Sequence, residues 1–284
     1  MTPAFRRLRP LSRTAAPALA PALALALALG AAGAARADCT RDISVPVSAN
    51  GASVVINGAS VNGIYPDLLR NLGGRVGCNF LFSVVPRARQ MAMYEAGKAD
   101  LLIPAMRTAG RDKIGQFIPM VGHRAVLISV AGKRAPIASG RELLERRELR
   151  VAVVRGFDYG EQYAALLKEL GRQGRLFTEV DANAVARLMH AGAVDLTIMG
   201  PTILAGAIRR EPRVQGLLER LRMEPIPELP WGQSGAYVSR LSLSPDDQQL
   251  LREQLEKVAK SGAVMDGFQR YHRPDILTES VRPR

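Results

Sequence analysis

The sequence predicts an α/β protein built as two similar lobes, on three observations. Short apolar or β-branched runs alternate with segments of helical periodicity, the pattern of parallel strands joined by helical crossovers. The alternation occurs twice, with a stretch rich in Gly, Pro, Lys and Arg at 131–140 between the two sets. A Pro-rich connector, 225–230, then leads back to a final strand and a long helix.

Taken in order, 43–47 is a first strand and Ser53 to Ile56 a candidate hairpin arm. Apolar residues at 64, 68, 69, 72 and 76 recur at helical spacing, and Gly77 stops that helix. Asn79 to Val85 is a second strand, and Pro86 opens a helix to about Ala96. Asp100 to Ala105 is a short buried strand, after which Arg107, Thr108 and Arg111 crowd into a turn containing Gly110. Ligands bind at the carboxyl ends of strands in open α/β sheets, so this cationic turn is a candidate site; the plain alternative is solvated charge. Ala125 to Val130 is a strand that closes the first lobe.

In the second lobe, Ser139 and Glu142 form a capping box, and Leu149 to Val154 is a fully apolar strand. The loop Gly156-Phe157-Asp158-Tyr159 follows, with Asp158 and Glu161 as a second capping-box pattern before a helix striped by Tyr163, Leu166, Leu167 and Leu170. Unsatisfied backbone N–H groups at such a junction suit polar ligands, so Asp158 either caps the helix or meets a ligand. Strands 176–180 and 194–199 and helices 182–191 and 201–209 complete the unit. Gly235 to Val238 is the return strand. Ser244-Pro245-Asp246-Asp247 starts a helix to about Lys260, 261–271 is amphipathic, and Ser280 to Arg284 is expected to fray. The expected divisions are 1–37 as a leader, 38–130 with 233–284 as the first lobe, and 131–232 as the second.

The leader is expected from a basic start, Arg6 to Arg9, an Ala/Leu-rich run over 15–32 and a small-x-small site at Ala35-Arg36-Ala37. Together these make a cleavable secretory signal and place the mature protein in the periplasm. The leader holds five arginines and no acid, so the formal net charge of +13 falls to +8 without it. Export, and the interleaving of Lys and Arg with acids over 141–150, argue against a nucleic-acid partner. Cys39 and Cys78, the two cysteines of the chain, read as one disulfide in an oxidising compartment, not as metal ligands.

No HExxH, P-loop lysine, GxGxxG or GxSxG motif occurs, so no metal, cofactor or catalytic residue is assigned. His123, His190 and His272 are far apart in sequence and are expected to be surface or satisfied residues.

Several motifs in one order resemble the periplasmic solute-binding proteins of family 3, the polar amino-acid type. They are Gly63-Ile64-Tyr65-Pro66-Asp67-Leu68, Pro86-Arg87-Ala88-Arg89 with Gly97-Lys98-Ala99-Asp100, Arg107-Thr108-Ala109-Gly110-Arg111 with Phe117, and Gly262 with Phe268 and Tyr271. The resemblance covers most of 43–271 and implies the two-lobed periplasmic-binding-protein (type II, Venus-flytrap) fold. It also implies a monomer that binds a small-molecule ligand in its cleft and delivers it to an ABC permease of the inner membrane. By the motif match Arg111 would grip a carboxylate bidentately, with Thr108, Arg107, Arg89 and Arg87 nearby and Gly156, Phe157, Asp158 and Tyr159 facing them from the second lobe. The expected ligand is a small polar, carboxylate-bearing solute, an amino acid or a related metabolite; the family's ammonium-binding Asp falls at Gly200 here, which opens a carboxylate or other small polar metabolite as an option beside an amino acid. The alternatives are a periplasmic enzyme on the same fold, of the cyclohexadienyl dehydratase kind with Asp158 as the cleft acid, or a ligand-sensing receptor component.

Overall fold

A computed structural model describes residues 38–284; the expected leader lies outside the described residues. Two lobes organise these residues, the first around a two-stranded and a four-stranded sheet and the second around a five-stranded sheet. In the first, β1 (Ile43–Val47) pairs in parallel with β4 (Phe80–Val84), and the Asp100 N–H donates to Ser44 O (2.9 Å), joining β1 to the start of β5 (Leu101–Met106). A four-stranded part follows in the order β13 (Val281–Pro283), β6 (Gly115–His123), β12 (Gly232–Ser239), β5. The hairpin of β2 (Val55–Asn57) and β3 (Ser60–Asn62) stands beside it. Helices α1 (Ile64–Val76), α2 (Arg87–Glu95) and the short α3 (Ala109–Asp112) complete the first half of this lobe.

The sheet of the second lobe runs β11 (Leu221–Glu224), β7 (Val126–Val130), β10 (Leu196–Met199), β8 (Val151–Val154), β9 (Leu176–Glu179). Both its faces are covered. Val126 and Ile128 point into one apolar cluster, with Ala152 and Val154; Leu127 points into the other, with Val151 and Val153. Alternate side chains of a strand point to opposite faces, so a strand buried on both reads as an unbroken apolar run. Helices α4 (Gly140–Glu145), α5 (Glu161–Arg172), α6 (Ala182–His190) and α7 (Pro201–Arg210) flank it, and α8 (Pro245–Lys260), α9 (Ala263–Tyr271) and α10 (Pro274–Thr278) return to the first lobe.

Two expectations change, and two strands appear that were not expected. The strand expected to close the first lobe, β7, hydrogen-bonds into the sheet of the second lobe, so the chain crosses at Arg124-Ala125 and not within 131–140. Its fully apolar sequence suits either sheet; only pairing decides. Strand β6 was hidden by Gly115, Pro119 and Gly122, which break the alternation of a strand. Pro119 is accommodated because the register shifts opposite it, between Ser234 and Gly235. The polar edge strand β11 was missed for the same lack of pattern. The end expected to fray forms β13, with Ser280 fully buried and its hydroxyl facing the Thr202 N–H (3.3 Å).

The start of the described chain is fastened at three places. Cys39 and Cys78 form the expected disulfide, with Cα atoms 4.9 Å apart. Thr40 donates its N–H to the first turn of α8 at Asp247 (2.9 Å), and Arg41 makes two bonds to the buried Asp100 (2.7 and 2.8 Å). Asp100 also accepts from the Ser44 N–H and the Ser242 hydroxyl. These donors outweigh its burial and hold its carboxyl below the usual range.

Candidate functional site

The two lobes meet around a small cavity of about 40 Å³, lined from the first lobe by Asn50, Ser53, Tyr65, Arg87, Pro104 to Met106, His123, Ser234 and Phe268. The second lobe contributes Phe157, Asp158, Tyr159 and Ile203. That space holds only a few waters, so the described conformation is a closed one. Closure brings backbone against backbone: Gly156 has φ +86°, and a Cβ there would stand 2.8 Å from Ala88 N at the start of α2. The loop can reach the opposing helix because residue 156 has no side chain.

The arginines expected to act together part company. Arg111, on α3, is buried; it donates to Met106 O (3.0 Å) and meets Asp158 of the other lobe at 3.3 Å. Thr108 caps α3 by accepting from the Arg111 N–H (3.4 Å). Arg111, Thr108 and Asp158 border an outer groove of about 440 Å³, and Asp158 alone of these also lines the inner cavity. Arg107 turns away to Asp112 (3.0 Å) and the Phe117 ring (5.8 Å) and lines a different hollow, and Arg89 is exposed. Neither lines the cavity.

Arg87 lines the inner cavity and is 8% exposed. It donates to Gln90 Oε1 (2.8 Å) and Pro104 O (3.2 Å), both neutral acceptors, and its Nε has no partner. Burial, and then the positive Arg111, push it down to about 10. A buried guanidinium without a bonded carboxylate is costly. Asp158, the acid of the cavity, is already engaged: Oδ1 accepts from the Gly160 N–H (2.9 Å) and Oδ2 faces Arg111. Asp158 is therefore not the helix cap; Gly160, at φ +98°, takes that position before α5.

His123 was read as a surface or satisfied residue, and the structure overturns this. It is 8% exposed, lines the cavity, and its Nδ1 has no partner. Its ring stacks on Tyr159 (6.2 Å, 10° between planes), and the Tyr159 hydroxyl accepts from the Gly200 N–H (3.3 Å). A Cβ on Gly200 would lie 2.5 Å from the imidazole Cε1 and Nε2. Asn50 Oδ1 is a further buried atom of this cavity without a partner. Asn50, Ser53, His123, Ile203 and Ser234 carried no motif; Tyr65 and Phe268 stood inside recognisable motifs without being singled out.

Burial pushes His123 down to about 4, and burial with Arg209 and Arg210 does the same to His272. An ordinary imidazole in the unfolded chain takes up its proton near 6.5. The unfolded state thus binds more protons between those limits, and the contribution of the two histidines to stability falls as pH is lowered through the window, levelling off below about 4. Urea midpoints measured from pH 7 to 4 are expected to fall, and His123→Asn to flatten part of that slope; an unchanged slope in the variant would remove His123 as a source.

No family model matches the sequence, and no curated protein matches it either. Solved structures do share the fold. An amino acid ABC transporter substrate-binding protein of Streptococcus pneumoniae, bound to L-arginine, aligns over 82% of this chain and 96% of its own at a TM-score of 0.63 and 19% identity. The ligand-binding core of GluR0 in complex with L-glutamate aligns over 82% and 98% at 0.63 and 17%. A histidine kinase sensor domain with similarity to periplasmic binding proteins aligns over 81% and 96% at 0.62 and 19%. The architecture is that of the periplasmic-binding-protein fold.

Proposed function

We propose that this protein binds a small, polar, carboxylate-bearing solute between its lobes, in the periplasm, and delivers it to an ABC importer. The observation that carries this reading is the convergence of Arg87 Nε, His123 Nδ1 and Asn50 Oδ1, all buried and unpartnered, on one cavity between lobes. Buried polar atoms are ordinarily paired, so these three, with the equally unpartnered Tyr65 hydroxyl as a fourth on the same cavity, mark a place for a polar ligand. At about 40 Å³ the cavity is too small for a solute until the lobes part, and among the described residues the chain crosses between them at two links, Arg124-Ala125 and 225–231.

In this reading Arg87 receives the carboxylate and Arg111 closes the cleft through Asp158. The engagement of both Asp158 oxygens speaks against that residue as a free cleft acid in a dehydratase. The likeness to a histidine kinase sensor domain keeps ligand reporting as the second reading. A thermal-shift screen of carboxylates and amino acids tests solute binding: a true ligand raises the melting temperature with its concentration, and a flat response across the panel would refute the reading.

A further inference from the structure

We propose that the solute is an organic acid without an ammonium group, and that His123, fixed against Gly200, enforces this choice. The inference rests on the carboxylate-binding reading and narrows it.

An ammonium group buried in the cleft needs an acceptor of negative charge. Asp158 is the acid among the residues lining the cavity, and its single negative charge is already matched by Arg111, so an ammonium there would have to share it. A second acid is barred at Gly200, where any side chain would begin 2.5 Å from the His123 ring. That ring has little room to withdraw, because Tyr159 stacks on it and bonds the Gly200 N–H. What the site offers there is a neutral imidazole nitrogen, which makes a hydrogen bond but supplies no negative charge.

Charge balance points the same way. Arg87, Arg111 and Asp158 together carry one net positive charge. A monoanion brings the closed cleft to neutrality, whereas an amino-acid zwitterion leaves the positive charge buried. A hydroxyl or keto oxygen beside the carboxylate would use the unpaired atoms: Asn50 Oδ1 accepts from a hydroxyl, and His123 Nδ1, according to its tautomer, donates to either oxygen or accepts from the hydroxyl. The aromatic walls, Tyr65, Phe157 and Phe268, suit aliphatic and aromatic bodies alike.

The test is calorimetric titration of the full mature chain with matched pairs that differ only at the α-substituent: lactate against alanine, glycerate against serine, phenyllactate against phenylalanine. The expected result is that at least one hydroxy acid binds on the order of a hundredfold more tightly than its amino partner. The aliphatic and aromatic pairs show which body the site takes. An amino acid that binds as well as its hydroxy partner, or better, overturns the inference while leaving solute binding intact. Silence from every pair, and from the wider screen, would overturn both. In the variant His123→Asp the preference should shift toward the amino member of the binding pair, whereas His123→Asn should keep the wild-type order. A folded His123→Asp protein with an unshifted preference would remove His123 from the role.

Discussion

Arg87→Met is expected to weaken solute binding on the order of a hundredfold while leaving the melting temperature of the ligand-free protein unchanged or higher. The two effects have one origin. Arg87 is a buried cation whose protein partners, Gln90 Oε1 and Pro104 O, carry no charge. A charge-assisted hydrogen bond to a carboxylate contributes about 1.5 to 3 kcal/mol, so its loss lowers affinity strongly. The same substitution relieves the desolvation of an unpaired charge, and apolar replacements of buried ionic groups are often neutral or stabilising. Gln90 keeps its bond from the Ser48 hydroxyl (2.9 Å), so the variant strands one acceptor at most. Titration with any ligand found by thermal shift, beside calorimetry of the free protein, reads both quantities. Unchanged affinity would move the anchor back to Arg111, the arginine the motif resemblance favours.

The double substitution Cys39→Ser with Cys78→Ser is expected to lower stability by about 4 kcal/mol, the chain-entropy value for a loop of roughly forty residues. For a chain of this size that corresponds to a melting temperature lower by on the order of 10 °C. The disulfide spans 39 positions and ties the first described residues to the entry of β4. It has company, however. The Thr40 bonds to Asp247 and the Arg41 bonds to Asp100 hold the same segment in the folded state. Those contacts do not restrain the unfolded chain, which is where the cross-link acts. Denaturant titration of the variant and the oxidised wild type checks the value; a loss below about 1 kcal/mol would mean that the loop-closure account fails here.

Much of the fold was legible because its elements bury whole faces. The apolar runs at 43–47 and 149–154, the helical stripes, and the caps at Ser139 and Ser244 are local signals that match their elements closely. Strands β6, β11 and β13 were not legible, since glycine, proline and polar edge residues erase the alternation and only cross-strand pairing creates them.

The site divides in the same way. Sequence alone determined that a cationic turn follows β5, that the Gly156 to Tyr159 loop follows β8, and that residue 200 is a glycine where the resembled family has an acid. Which arginine is left without a bonded carboxylate, and why position 200 lacks a side chain, was decided only by tertiary structure. Arg111 finds Asp158 across the cleft, Arg87 finds neutral acceptors, and His123 fills the space beside Gly200. These facts depend on groups from distant parts of the chain meeting in a small cavity between lobes, and in such a place an unpaired charge outweighs any local pattern.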